Sequence, residues 1–256
     1  MAVVIVPARL ASTRFPEKVL RAETGKPLVQ HVVESARRAA CAERVVVAAD
    51  HRTIAEALRP FGTDVVLTKA DHPNGSARLA EAAELLGLAD DTVVVNVQGD
   101  EPEIEAHVVD AAHAALVDAG PEVGMSTVGS PFAAGEDPGD PNIVKLVRSA
   151  VTGRALYFSR SPAPHDRDAA RRGGPPPAPP LKHVGLYCYR VWMLKRYVQL
   201  TPTPLEETEK LEQLRVLEHG LPIAAAVATA AHHGIDTAEQ YAAFVERFRA
   251  SGDGAG

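Results

Sequence analysis

The chain has 256 residues, 46% of them hydrophobic and 23% charged, with a net charge of −6. That length buries a substantial core and fits one large domain. The acidic balance excludes a chain held on nucleic acid by a basic face, and the absence of any apolar run of roughly 18 residues argues against a membrane span.

In chain order, Val3 to Val6 reads as a buried strand, and Arg9 to Leu20 as a loop bounded by Pro7 and punctuated by Pro16. Leu28, Val29, Val32, Val33 and Ala36 recur at helical spacing. A strand at Arg44 to Ala48, a helix over Thr53 to Leu58 and a strand at Val65 to Leu67 follow. Ser76 is the expected cap of a helix whose apolar face is Leu79, Ala82, Ala83 and Leu86. Thr92 to Val97 carries four valines and reads as a strand buried on both faces. Strands alternating with helices predict a mostly parallel sheet in an α/β fold, with ligands beyond the carboxyl ends of its strands.

In the second half, strands are expected at 123–128, 143–147, 154–158, 184–190 and 223–227. Helices are expected at 192–200, 207–218 and 237–249. Gly173 to Pro180 holds five prolines and two glycines and reads as a mobile surface loop within one domain of 1–250. The tail 251–256 is expected to be disordered. Cys41 and Cys188 lie in apolar settings without a CxxC pair, which reads as two buried thiols in a reducing compartment. Val3 opens an apolar run with no basic segment before it, so no leader peptide is expected, and the address is cytoplasmic.

Three segments carry the strongest chemistry. Pro7 to Lys18 follows the first strand and offers Arg9, Arg14 and Lys18, the hydroxyls of Ser12 and Thr13, and backbone N–H groups. Such a loop suits a polyphosphate and charge developing on a departing one; GxxxxGK[ST] is absent, so it is no P-loop. Asn96 to Pro102 (NVQGDEP) follows the valine strand, where Gly99 permits a sharp turn and Asp100 offers hard oxygen to Mg²⁺. Gly234 to Thr237 places Asp236 before a helix, either as its N-cap or as a second carboxylate for the same ion. Weaker signals come from Arg160 at a strand end, suited to a bidentate carboxylate pair, from His183, and from the charged run Glu209 to Leu214. Each of these also has a bland reading as a surface ion pair, a structural histidine or a solvated helix face. HExxH, zinc spacings and GxSxG are absent.

Taken in order, eight segments resemble the 3-deoxy-manno-octulosonate cytidylyltransferases, or CMP-Kdo synthetases, from Val4 to about Phe244. They are Pro7–Lys18, Ala70–Gly75, Asn96–Pro102, Pro141–Lys145, Ala155–Arg160, His183–Tyr187, Pro204–Arg215 and Gly234–Thr237. The resemblance implies a Rossmann-like nucleotidyltransferase fold with a smaller dimerisation lobe within about 130–220, and a homodimer. It also implies CMP transfer from CTP to Kdo, which activates Kdo for lipopolysaccharide synthesis.

The same resemblance implies that Pro7, Ala8, Arg9, Arg14, Lys18, Ser76 and Arg78 bind CTP. Gln98, Arg160, His183, Tyr187, Glu212 and Gln213 would bind the sugar acid, and Asp100 and Asp236 would ligate Mg²⁺. Arg14, Lys18, Asp100 and Asp236 would carry catalysis. The chain departs from the family pattern at Ala77, where a Glu is usual, at His165, where a Trp is usual, and in the Pro-rich loop. A different sugar acid, such as 8-amino-Kdo or a sialic-acid-like sugar, therefore stays open. So does an inactive nucleotide-binding homologue.

Overall fold

A computed structural model describes residues 1–11, 14–72, 74–168, 171, 173–231 and 234–251. The hydroxyls of Ser12 and Thr13 and all but the first residue of the expected tail lie outside these. The strands are β1 (Ala2–Ala8), β2 (Ala42–Ala49), β3 (Asp64–Leu67), β4 (Val93–Asn96), β5 (Met125–Pro131), β6 (Lys145–Arg148), β7 (Ala155–Ser159), β8 (Leu181–Arg190) and β9 (Ile223–Val227). The helices are α1 (Leu28–Ala36), α2 (Arg52–Leu58), α3 (Gly75–Leu85), α4 (Ala106–Asp118), α5 (Val191–Tyr197), α6 (Pro204–Glu209), α7 (Gln213–Glu218) and α8 (Ala238–Ala250).

The main sheet runs β3-β2-β1-β4-β8-β5-β9, with β6 and β7 branching from β8. β3, β2, β1 and β4 are mutually parallel, as are β5 and β9, and β8 alone runs against its neighbours in this path. This is the mostly parallel α/β sheet expected from the sequence. Period-two alternation divides the core. Val4 and Val6 of β1 face a layer with Val29, Val32 and Val33 of α1 and Val108, Ala112 and Leu116 of α4. Ile5 between them faces Leu79 and Ala82 of α3 and Met193 and Leu194 of α5. Each fully buried Val or Leu contributes roughly 1.5–3 kcal/mol, so this layering fixes where the strand ends open. A third, smaller cluster docks α8 through Phe15, Leu28, Ile235, Tyr241, Phe244 and Val245.

Several expectations are corrected. Asn74, not Ser76, caps α3, its side chain accepting from the Ala77 N–H at 2.9 Å. The expected helix 207–218 is two helices, α6 and α7, because Lys210 turns left-handed at φ 54° and breaks the run. Thr237, not Asp236, caps α8, in a capping box with Gln240. α4 was not among the expected elements: Val108, Val109, Ala112 and Leu116 have helical spacing, but the surrounding alanines leave little contrast between faces. Cys41 and Cys188 are free, buried thiols, and burial pushes the Cys41 pKa up to about 12. No helix among the described residues is long and apolar enough to cross a membrane.

Candidate active site

The carboxyl ends of β1 and β4 lie side by side, and the loops leaving them form one wall of a cleft. Their approach requires Gly99: a Cβ there would sit 2.6 Å from the Pro7 carbonyl oxygen. The glycine thus admits a second backbone rather than a ligand. The β1 loop is held from its other side by Asp50 at the end of β2, which accepts from the Leu10 N–H at 2.9 Å. Asp50 also faces the buried Arg78 guanidinium at 3.7 Å. Arg78 donates to Thr68 Oγ1 (2.6 Å) and the Lys69 carbonyl (3.0 Å), which fixes the segment leading to α3. Asp50 was not singled out in the sequence, since a lone Asp after a strand gives no signal of its long-range partner.

The cleft has two ends. The first is lined by Pro7, Arg9, Arg14, Lys18, Arg78 and Asp100, among others, and reaches Asp236. At its centre Lys18 Nζ donates to Asp100 Oδ2 (2.6 Å), Asp236 Oδ1 (3.0 Å) and the Ile235 carbonyl (2.8 Å). Arg14 pairs with the same Asp236 oxygen at 3.0 Å. Because Thr237 takes over the capping of α8, the Asp236 carboxylate is released to face the cleft. Beside Asp100, burial pushes the Glu101 carboxyl up to about 8, assisted by the Asp100 charge, so Glu101 is neutral at pH 7.

The second end is lined by Ser76, Asn96, Gln98, Tyr187, Tyr189, Tyr197, Glu212 and Gln213, among others. Gly75, Gln98 and Glu212 line both ends and make the cleft continuous. Burial pushes the phenols of Tyr187, Tyr189 and Tyr197 above their ordinary value, so they remain protonated donors. Burial also raises Glu212, although Tyr197 donates to it at 3.4 Å. α6 and α7 are locked together by the two-bond contact of Arg215 with Glu206, at 2.7 and 2.6 Å. Among the described residues, the two non-glycine residues with left-handed backbone are Glu17 and Lys210, both at φ 54°. Glu17 directly precedes Lys18, and Lys210 comes two residues before Glu212, so backbone strain concentrates at the cleft.

Of the residues singled out from the sequence, Pro7, Arg9, Arg14, Lys18, Arg78, Gln98, Asp100, Glu212 and Asp236 line the first end. Ser76, Tyr187 and Gln213 line the second. Ser76, placed with the nucleotide by resemblance, therefore opens onto the tyrosine end. Three residues are not among those lining either end. Ala8 is buried in β1. His183 packs beside Tyr187, its ring 4.9 Å from Phe158 and 5.3 Å from Tyr187, paired with Thr127 Oγ1 at 2.8 Å. Burial pushes its pKa down to about 3, so it is neutral.

Among the described residues, Arg160 does not make the expected bidentate carboxylate pair. Its guanidinium donates to the carbonyls of Glu209 (2.7 Å) and Pro141 (2.9 Å), while Glu209 Oε2 accepts from its backbone N–H. Ala77 occupies the third position of α3, where a Glu reaches back to the helix's own cap. Here Asn74 caps α3 without an acid at that position. His165 is exposed in the segment between β7 and β8.

A doubly wound α/β sheet, with a cation-lined cleft at its strand ends continuous with a pocket rich in neutral hydrogen-bonding groups, is the arrangement of a nucleotidyltransferase. Residues 3–223 match the sequence profile described as cytidylyltransferase, and the chain belongs to that family. A structure described as CMP:2-keto-3-deoxy-manno-octonic acid synthetase complexed with CTP is 36% identical, with a TM-score of 0.88 over 98% of this chain and 99% of that one. The sequence resemblance to the CMP-Kdo synthetases is thereby borne out. A cytidylyltransferase from Leptospira borgpetersenii serovar Hardjo-bovis (strain JB197) shares the fold, at 14% identity and a TM-score of 0.62 over 97% of this chain and 87% of that one.

Proposed function

We propose that this enzyme transfers CMP from CTP to Kdo, the 2-keto-3-deoxy sugar acid, and releases pyrophosphate. The observation that carries the reading is the continuous cleft, charged at one end and rich in neutral donors and acceptors at the other, joined at Gln98 and Glu212. In this reading the triphosphate lies against Arg9, Arg14, Lys18 and Arg78. The sugar acid lies among Gln98, Tyr187, Glu212 and Gln213, with Ser76 beside them. His183 orients Tyr187 through their ring contact, and Arg160 holds the turn at Glu209 that leads to Glu212.

The anomeric C2 hydroxyl oxygen forms its bond to the α-phosphorus of CTP while the bond to the bridging pyrophosphate oxygen breaks in line, and the hydroxyl proton passes to solvent. Arg14 and Lys18 offset the charge that develops on pyrophosphate. Holding both substrates in one cleft converts the encounter into an oriented, effectively unimolecular step.

Asp100 and Asp236 fit a divalent cation, Mg²⁺ in this reading. Their carboxylates converge on a point where a cation, the Lys18 ammonium, already sits, and they offer the hard oxygen that Mg²⁺ takes together with phosphates. Such an ion, when bound, supplies Lewis-acid activation of the hydroxyl and charge neutralisation on the phosphates.

The test is pyrophosphate release with CTP and Mg²⁺, scanning Kdo, 8-amino-Kdo and sialic acid, with an EDTA control. EDTA-sensitive release with Kdo is expected. Release with another acid only would reassign the sugar, and CTP binding without release on any acid would identify an inactive homologue. The reading includes a homodimer formed through a smaller lobe within about 130–220. Val151 in the β6–β7 turn and Leu156 in β7, 95% and 60% exposed, support it. Light scattering at the mass of a single 27.2 kDa chain would overturn this part.

A further inference from the structure

The sheet that floors the tyrosine end carries a residue with no role so far. Asn96 ends β4 and stands opposite Tyr187 of β8, while Val94 stands opposite Tyr189. Directly opposed residues and those two apart share a face, so Asn96, Tyr187 and Tyr189 rise together from the sheet. All three line the pocket. Asn96 is 3% exposed, and its Oδ1 is buried without a hydrogen-bond partner among the described residues. Buried amide oxygens are almost always paired, because an unmade bond loses the hydration it had in the unfolded chain. A leucine of similar size would fill the position at no such cost.

The same floor holds two more under-used groups. The hydroxyls of Ser76 and Tyr189, both buried, meet only at 3.5 Å, far longer than a normal O–H···O bond. The cation among the lining residues of this end, Lys210, is exposed. The floor therefore does not suit an anion, which needs cations or several N–H donors. It suits a group that both donates and accepts.

We infer that Asn96 is a specificity-determining residue that reads one hydroxyl of the sugar acid, the hydroxyl donating to Asn96 Oδ1 and accepting from the Tyr189 phenol or the Ser76 hydroxyl. This rests on the proposed sugar-acid reading of the cleft. It extends that reading from the residues shared with the nucleotide end to the buried sheet face. A site built around a substrate hydroxyl discriminates strongly against the analogue that lacks it, because its own polar groups are then left unpaired.

The experiment uses the full-length enzyme with Mg²⁺ and saturating CTP, and a panel of Kdo analogues each lacking one hydroxyl. With the wild type, one analogue should lose about 100-fold in kcat/KM, the effect of leaving one buried polar group unpaired. In Asn96→Leu and Asn96→Ala, Kdo itself should lose a similar factor, mainly through KM. Discrimination against that one analogue should collapse to within about threefold, and KM for CTP should not move. A merely structural Asn96 would shift KM for CTP and thermal stability together and leave discrimination intact, which overturns the inference. If neither variant folds, judged by CTP-induced thermal stabilisation, the wild-type panel decides: a flat response across all analogues overturns it, and a single sensitive hydroxyl supports it. Wild-type turnover of Kdo with insensitive variants overturns the Asn96 role alone. No wild-type turnover on any sugar acid overturns the cleft reading beneath it.

Discussion

The two ends of the cleft are built by different means. The tyrosine end rests on the sheet: Asn96, Tyr187, Tyr189 and Met125 come from β4, β8 and β5, whose register fixes which side chains share a face. The cationic end is made largely of loops, with Arg78 reaching in from α3. Lys18 meets Asp100 and Asp236 from positions 82 and 218 residues away, and Asp236 arrives only because α8 docks through a small cluster around Phe15 and Phe244. A sheet face holds its geometry through many backbone bonds, whereas the loop end depends on a few contacts, each individually breakable. Strain at Glu17 and the backbone approach at Gly99 belong with that economy.

The comparison predicts that single changes at the loop end have large and separable effects. The largest is Asp100→Asn, which leaves the Lys18 ammonium short of one charge partner and removes a proposed metal oxygen. It should lower kcat by about 10³-fold, equivalent to about 4 kcal/mol, and a near-normal single-turnover rate would remove Asp100 from the chemistry.

Next is acid sensitivity of the α8 dock. His31 of α1 packs edge-on against Phe244 and Phe248, and burial, followed by the nearby Lys26 charge, pushes its pKa from the ordinary 6.5 down to about 4. Between those values the unfolded chain binds more protons than the folded one, so stability is full above pH 6.5 and falls as pH drops toward 4. The slope approaches about 1.4 kcal/mol per unit, or about 3 kcal/mol in all. Urea unfolding of wild type against His31→Gln across this window should show a flatter acid limb in the variant; identical limbs would clear His31.

Gly99→Ala comes third. Its methyl must push against the Pro7 carbonyl, and a cost of about 2 kcal/mol is expected from such overpacking. It should appear as a lower denaturation midpoint together with a raised KM for CTP. A change in midpoint alone would mean that the two loops relax apart without disturbing the site. Smallest is Tyr241→Phe. Tyr241 donates to Glu23 Oε2 at 2.6 Å and accepts from the Glu23 N–H at 3.1 Å, tying α8 to the segment after Lys18. Its loss should cost about 1 kcal/mol. If the loop end depends on this dock, CTP affinity should weaken by severalfold while the affinity for the sugar acid holds.

Local pattern determined a good deal of this protein. The valine runs of β1, β2 and β4, the loops that follow β1 and β4, and the order of the eight segments all lie within short windows of sequence, and period-two burial and the chemistry of a cationic loop are local properties. What tertiary structure alone decided were choices between partners. Asp236 was equally fit to cap α8 or to face the cleft until Thr237 and Gln240 took the cap. Arg160 was equally fit to bind a carboxylate or to hold a turn until the carbonyls of Glu209 and Pro141 came within reach. The break at Lys210, the approach of Gly99 to Pro7 and the unpaired Asn96 Oδ1 likewise depend on neighbours distant in sequence. The physical reason is the same in each case. A polar side chain carries its capacity to bond wherever it stands, but which partner satisfies it is settled only when packing brings one candidate close and buries the rest.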